Sequence, residues 1–159
     1  MASEFERRIS AAANRKRAPR QLTAEEQRVN LVRAAITDWH GRIGPMIERA
    51  VAEANRQLAD AGLQLKISKD IEHGVKSGGA ATTTPMRPVI SIFSEPTSVA
   101  PAASAPRIRI GLQEDARVFV AAHHCKIPER ASVMSSEMDK PQIRAVIADY
   151  VDAAVARAT

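Results

Sequence analysis

The sequence predicts an α+β domain: a long N-terminal helix, kinked or split, then a four-stranded antiparallel meander, then a C-terminal helix packed on the sheet. Three patterns predict it. Apolar residues recur at 29, 32, 36, 39, 43, 47, 51, 54 and 58, which is helical spacing. Period-two alternation marks residues 63–68 and 107–124. A second helical stripe runs from Ile143 to Val155. Residues 1–21 read as a basic arm or short helix, and residues 22–159 as a single domain.

Each element has local signals. Ser3 can cap a short helix over residues 3–18, with Glu4 and Glu6 in its first turn and basic residues in its last; Pro19 ends it. Thr23 followed by Glu26 is a capping box for the next helix. Gly41, Gly44 and Pro45 interrupt that helix without changing the phase of its stripe. One helix kinked near Pro45 is therefore favoured over a helical hairpin turning at the glycines. Gly62 suits its C-terminal stop. At ~57 Å such a helix would be longer than a small sheet can cover, so part of its stripe is expected to need a partner.

Leu63, Leu65 and Ile67 alternate with polar residues as a half-buried strand, and residues 74–86 read as a flexible loop. Val89, Ile90, Ile92 and Phe93 are apolar on both faces, as in a central or covered strand. Residues 95–106 hold three prolines and are expected to run extended without pairing. The clearest β signal is the hairpin over 107–124, turning at Glu114 and Asp115. Residues 126–138 read as loop, and Asp139 caps the last helix with Pro141 in its first turn. Helix, three strands, helix is also the order of double-stranded-RNA-binding domains. Those open the last helix with a Lys-rich cluster, whereas Asp139, Lys140, Pro141 and Gln142 stand here, so the likeness is one of topology alone.

A hydrophobic share of 45% supports a folded core, built mostly from aliphatic residues because aromatics are only 3%. The Ala- and Arg-rich composition is of the kind GC-rich bacterial genomes encode. A single cysteine, Cys125, forms no internal disulfide. No apolar run reaches the ~18 residues needed to span a membrane, and the N-terminus lacks a signal-peptide core. A cytoplasmic protein with no membrane partner is expected.

Residues 1–20 carry six cations and two carboxylates, so four of the five net positive charges sit there. Arg15, Lys16, Arg17 and Arg20 make that segment a candidate for nucleic-acid contact. A second candidate is the polar face of the sheet: with Leu65, Ile108, Ile110, Val118 and Val120 turned to the helices, the opposite face carries Lys66, Arg107, Arg109, Arg117, Phe119 and His123. Cations around an aromatic on a sheet can pair phosphates and stack a base.

His73, His124 and Cys125 have the chemistry of zinc ligands, but no paired CxxC or HxxxH spacing accompanies them, and neighbouring strand residues point to opposite faces. Adjacent acids at 70 and 72 and at 114 and 115 fall at a strand end and a hairpin tip, where carboxylates serve turns. No phosphate-loop motif is present. The sequence therefore implies no cofactor and no catalytic set. Its leading expectation is a non-enzymatic protein-interaction module that self-associates as a homodimer through Val32, Ile36, Trp39 and Ile43. A nucleic-acid-binding protein is the alternative, and a small metal-binding or enzymatic domain around the His and Cys residues is the second.

Overall fold

The capping box at Thr23 opens a helical path that continues to Leu58. A computed structural model describes residues 3–17, 23–72, 85–96 and 105–158. Thr23 Oγ1 accepts from the Glu26 amide at 3.1 Å. Helix α2 (Ala24–Asp38) passes into a π-helical turn at Trp39–Ile43 and on into α3 (Gly44–Leu58). The turn ends two residues before Pro45, which has no N–H to continue the ladder and whose ring crowds the carbonyl four residues back. The long helix thus runs on through a π-turn rather than folding into a hairpin. A 3-10 turn at Ala59–Ala61 and Gly62, at φ 73°, close it. Ahead of it, Glu4–Arg17 forms the separate helix α1, opened by a reciprocal Ser3–Glu6 capping box.

The sheet is an antiparallel meander in sequence order: β1 (Leu63–Glu72), β2 (Arg87–Pro96), β3 (Arg107–Leu112), β4 (Arg117–His123) and β5 (Val133–Met134). Helix α4 (Lys140–Ala158) follows a 3-10 turn at Ser135–Glu137. Asp139 Oδ1 accepts from the Gln142 amide, and Gln142 Oε1 from the Asp139 amide, both at 3.0 Å, a full capping box. The long helix and α4 pack on one face of the sheet. There Leu65, Ile90, Ile92, Ile108, Ile110, Leu112 and Val118 are buried against Trp39, Ile43, Ile47, Ile143, Ile147 and Tyr150. Edge strand β1 is bound to α3 through Asn55, whose amide accepts from Leu65 N at 2.7 Å and donates to Leu65 O at 3.0 Å. That satisfies an edge pair that would otherwise face outward.

The fold class stands as expected, with differences. The sheet has five strands, because residues 126–138 are not all loop: Val133 and Met134 pair with Val118 and Arg117. Strands β1 and β2 are each ten residues long, about 33 Å. Glu95 and Pro96, expected to stay unpaired, lie opposite Gln64 and Leu63. Strand β3 pairs only with residues 89–93 of β2. At Pro88 and Pro96 the strand therefore has a single neighbour, and proline's missing donor faces no third strand.

The longer sheet also corrects the expectation that the helical stripe exceeds what it can cover. Val32, Trp39 and Ile43 are buried in the chain's own core, and Ile36 is half-buried against it. They do not form a surface that a second copy can reach. No helix among the described residues is long and apolar enough to cross a membrane.

Candidate functional site

Strand alternation decides what the other face of the sheet displays. Because Ile90 and Ile92 point to the helices, Val89, Ser91 and Phe93 point away. Register then sets four-residue rows across β1 to β4. Lys66, Phe93, Arg107 and His123 form one row; Ser68, Ser91, Arg109 and Ala121 the next; Asp70, Val89, Gly111 and Phe119 a third. The core that the helices form lies against the opposite face. Lys66, Arg107 and Arg117 are exposed, and Phe93, Arg109, Phe119 and His123 are half-buried.

Phe119 does not stand up from the sheet. A β-carbon built on Gly111 would lie 2.9 Å from Cε1 and Cζ of its ring and 2.8 Å from Cγ2 of Val89. The far edge of the ring therefore reaches over the glycine, beside Val89. Glycine is required here for close approach.

The field at this face is positive. Burial is the first cause that lowers the His123 pKa below its usual value, and the neighbouring Arg107 and Arg109, then His124, lower it further. His123 Nε2 is buried and makes no hydrogen bond among the described residues. Arg117 is held at the end of the face: its Nη1 donates to Ser132 O at 3.1 Å and its Nε lies 3.6 Å from Asp115. Arg87, at the same end, is buried, with Nε donating to Leu112 O at 3.0 Å.

The structure thus gathers Lys66, Arg107, Arg109, Arg117 and Phe119 on one surface and adds Phe93, whose apolar run reads in sequence as a central or covered strand. Its signal was available: Phe93 shares the parity of Val89, not of Ile90 and Ile92, but a run of apolar residues hides which parity faces out. The basic residues of the N-terminal segment are separate. Arg15 and Lys16 are exposed on α1, Arg17 is its last residue, and Arg20 lies outside the described residues.

Of the three metal candidates, two are among the described residues. His73 lies outside the described residues. His124 leaves β4 at φ 59°, exposed, while Cys125 turns back with Sγ 3.7 Å from Arg107 O. Among the described residues no three His, Cys, Asp or Glu side chains converge on a cation site. A cavity of about 470 Å³ lies under the π-turn, lined by Trp39, His40, Pro45, Met86 and Pro88 among others. Its charges are already engaged: Lys69 pairs with Glu48 at 2.5 Å, and Asp70 accepts from the Ile71 amide. Compared with family models, curated proteins and solved structures, the chain matches none.

Proposed function

We propose that this protein is a nucleic-acid-binding module whose binding surface is the face of its sheet opposite the helical core. The observation that carries the reading is the row Lys66, Phe93, Arg107 and His123, with Arg109 and Phe119 beside it. Cations alone would be an ordinary solvated surface. Cations set in register around two half-buried aromatic rings supply the two things a nucleic acid offers, phosphate charge and base faces. Ser91, in the next row beside Arg109, adds a hydroxyl to the same face. Nothing in the arrangement asks for bond-making chemistry, so the reading is of a binder rather than an enzyme.

The test is fluorescence anisotropy with labelled RNA and DNA over a range of salt, comparing the full chain with Arg107→Glu/Arg109→Glu. Micromolar binding is expected, with a salt slope of about −2 for three phosphates neutralised on a single strand. Reversing the two arginines should abolish it while leaving the thermal melt intact. Binding that survives the reversal would move the site elsewhere, α1 with Arg15 and Lys16 first. No binding by the unaltered chain at low salt would end the reading. Light scattering on the same samples addresses self-association. With Val32, Trp39 and Ile43 inside the core, a dimer would have to use another surface.

A further inference from the structure

Resting on that reading, the geometry points to the kind of nucleic acid: an unpaired, extended strand that crosses the sheet on the diagonal from Phe93 over Arg109 to Phe119. Phe93 lies opposite Arg107 on β3. Arg109 is two residues further along β3, and Gly111, two further still, lies opposite Phe119. Phe93, Arg109 and Phe119 therefore lie on one line, each a diagonal neighbour of the next. Diagonal neighbours sit about 7–8 Å apart, so the points from which the two rings spring are roughly 15 Å apart, with Arg109 between them.

That spacing selects the ligand. Stacked nucleotides rise ~3.4 Å each, so neighbouring bases of a stacked strand cannot reach both rings. A strand pulled out of its stack can, by laying two non-adjacent bases on the rings and the intervening backbone on Arg109. The missing side chain at Gly111 lets the Phe119 ring reach over β3 against Val89, which brings it to the strand that carries Arg109. A duplex offers neither ring a base face, since its bases are stacked and paired, and gains from this surface only the phosphate contacts. The footprint that follows is about four nucleotides, at the lower end of what single-strand platforms occupy.

The experiment titrates the full chain with labelled oligothymidylates of two to eight nucleotides and with a blunt duplex of matched length. It is repeated with Phe93→Leu and Phe119→Leu, which keep an apolar side chain on the sheet and remove the ring; melting curves verify the fold. Affinity should climb up to about four nucleotides and then level off. The duplex should bind more weakly than the single strand, and each leucine variant should lose roughly 5- to 100-fold for the four-nucleotide ligand. If the leucine variants bind unchanged, or the duplex binds as well as the strand, while Arg107→Glu/Arg109→Glu still abolishes binding, the diagonal is overturned and the wider reading stands on phosphate contacts alone. If no oligonucleotide binds, both fall together.

Discussion

The ring of Phe119 rests on Gly111 so closely that any side chain at 111 would have to displace it: the β-carbon position lies 2.9 Å from two ring carbons and 2.8 Å from Val89 Cγ2. Gly111→Ala should therefore lift the ring, and destabilise the fold by about 1–3 kcal/mol, the usual cost of forcing extra volume into a packed site. Chemical denaturation measures it. The double variant Gly111→Ala/Phe119→Leu should recover part of the loss, because a smaller, flexible side chain can step aside. A Gly111→Ala protein as stable as the parent would mean that the ring has room to move.

Arg42 ties the π-turn to the chain that leads into α4. Its guanidinium is bidentate on Asp38, at 2.8 Å for both bonds, donates to Ser135 O at 2.6 Å and also donates to Met138 O. The hydrogen bonds with Asp38 are the main cause that raises its pKa further. Arg42→Lys keeps the charge but not the fork, so it should cost nearly as much as Arg42→Ala, about 1.5–3 kcal/mol for hydrogen bonds to a charged group. Equal stability of Arg42→Lys and the parent would reduce the contact to a surface ion pair.

What the sequence made legible follows from how local each signal is. Thr23 and Asp139 announced their helices because capping is decided within four residues. The irregular turn at Trp39–Ile43 was readable because Pro45 breaks the ladder wherever it stands. The β3–β4 hairpin was readable because its alternation is unbroken. The full length of β1 and β2 was not, since Pro88 and Pro96 are tolerated only where β3 has already ended, and that is a fact of tertiary pairing. With those strands at their full length, the sheet covers Trp39 and Ile43, which a shorter sheet would leave to a partner. The candidate site was half legible. Arg107, Arg109 and Phe119 fall on one parity of a clear hairpin. Phe93 joins them only once register is known.

Tyr150 joins α4 to the chain entering β3 from deep in the core. It is fully buried; its hydroxyl donates to Pro106 O at 2.8 Å and lies 3.3 Å from Ser94 Oγ. Burial is the main cause that raises its pKa above the usual phenol range. Tyr150→Phe leaves the ring and removes the donor, so the Pro106 carbonyl loses its bond in a site that admits little water. A loss of about 1–2 kcal/mol is expected in urea unfolding. A melt identical to the parent's would show that water replaces the hydroxyl.

His123 makes stability depend on pH with a sign that its surroundings fix. Burial, then Arg107, Arg109 and His124, lower its pKa in the fold below the ordinary 6.5. Above 6.5 the imidazole is neutral in the folded and unfolded chain alike, and its contribution is constant. Between 6.5 and the lower folded value, the unfolded chain takes a proton that the fold refuses, so stability falls as the pH falls; below the folded value it levels again. His123→Gln cannot titrate. The difference in melting temperature between parent and His123→Gln should therefore shift toward the variant as the pH drops from 7 to 5, the carboxylates common to both cancelling. Adding Arg107→Gln should shrink that shift, since it removes one of the cations that oppose protonation. A difference that stays constant from pH 7 to 5 would mean that His123 titrates as it does in an unfolded chain, and that the positive field at this face is already neutralised.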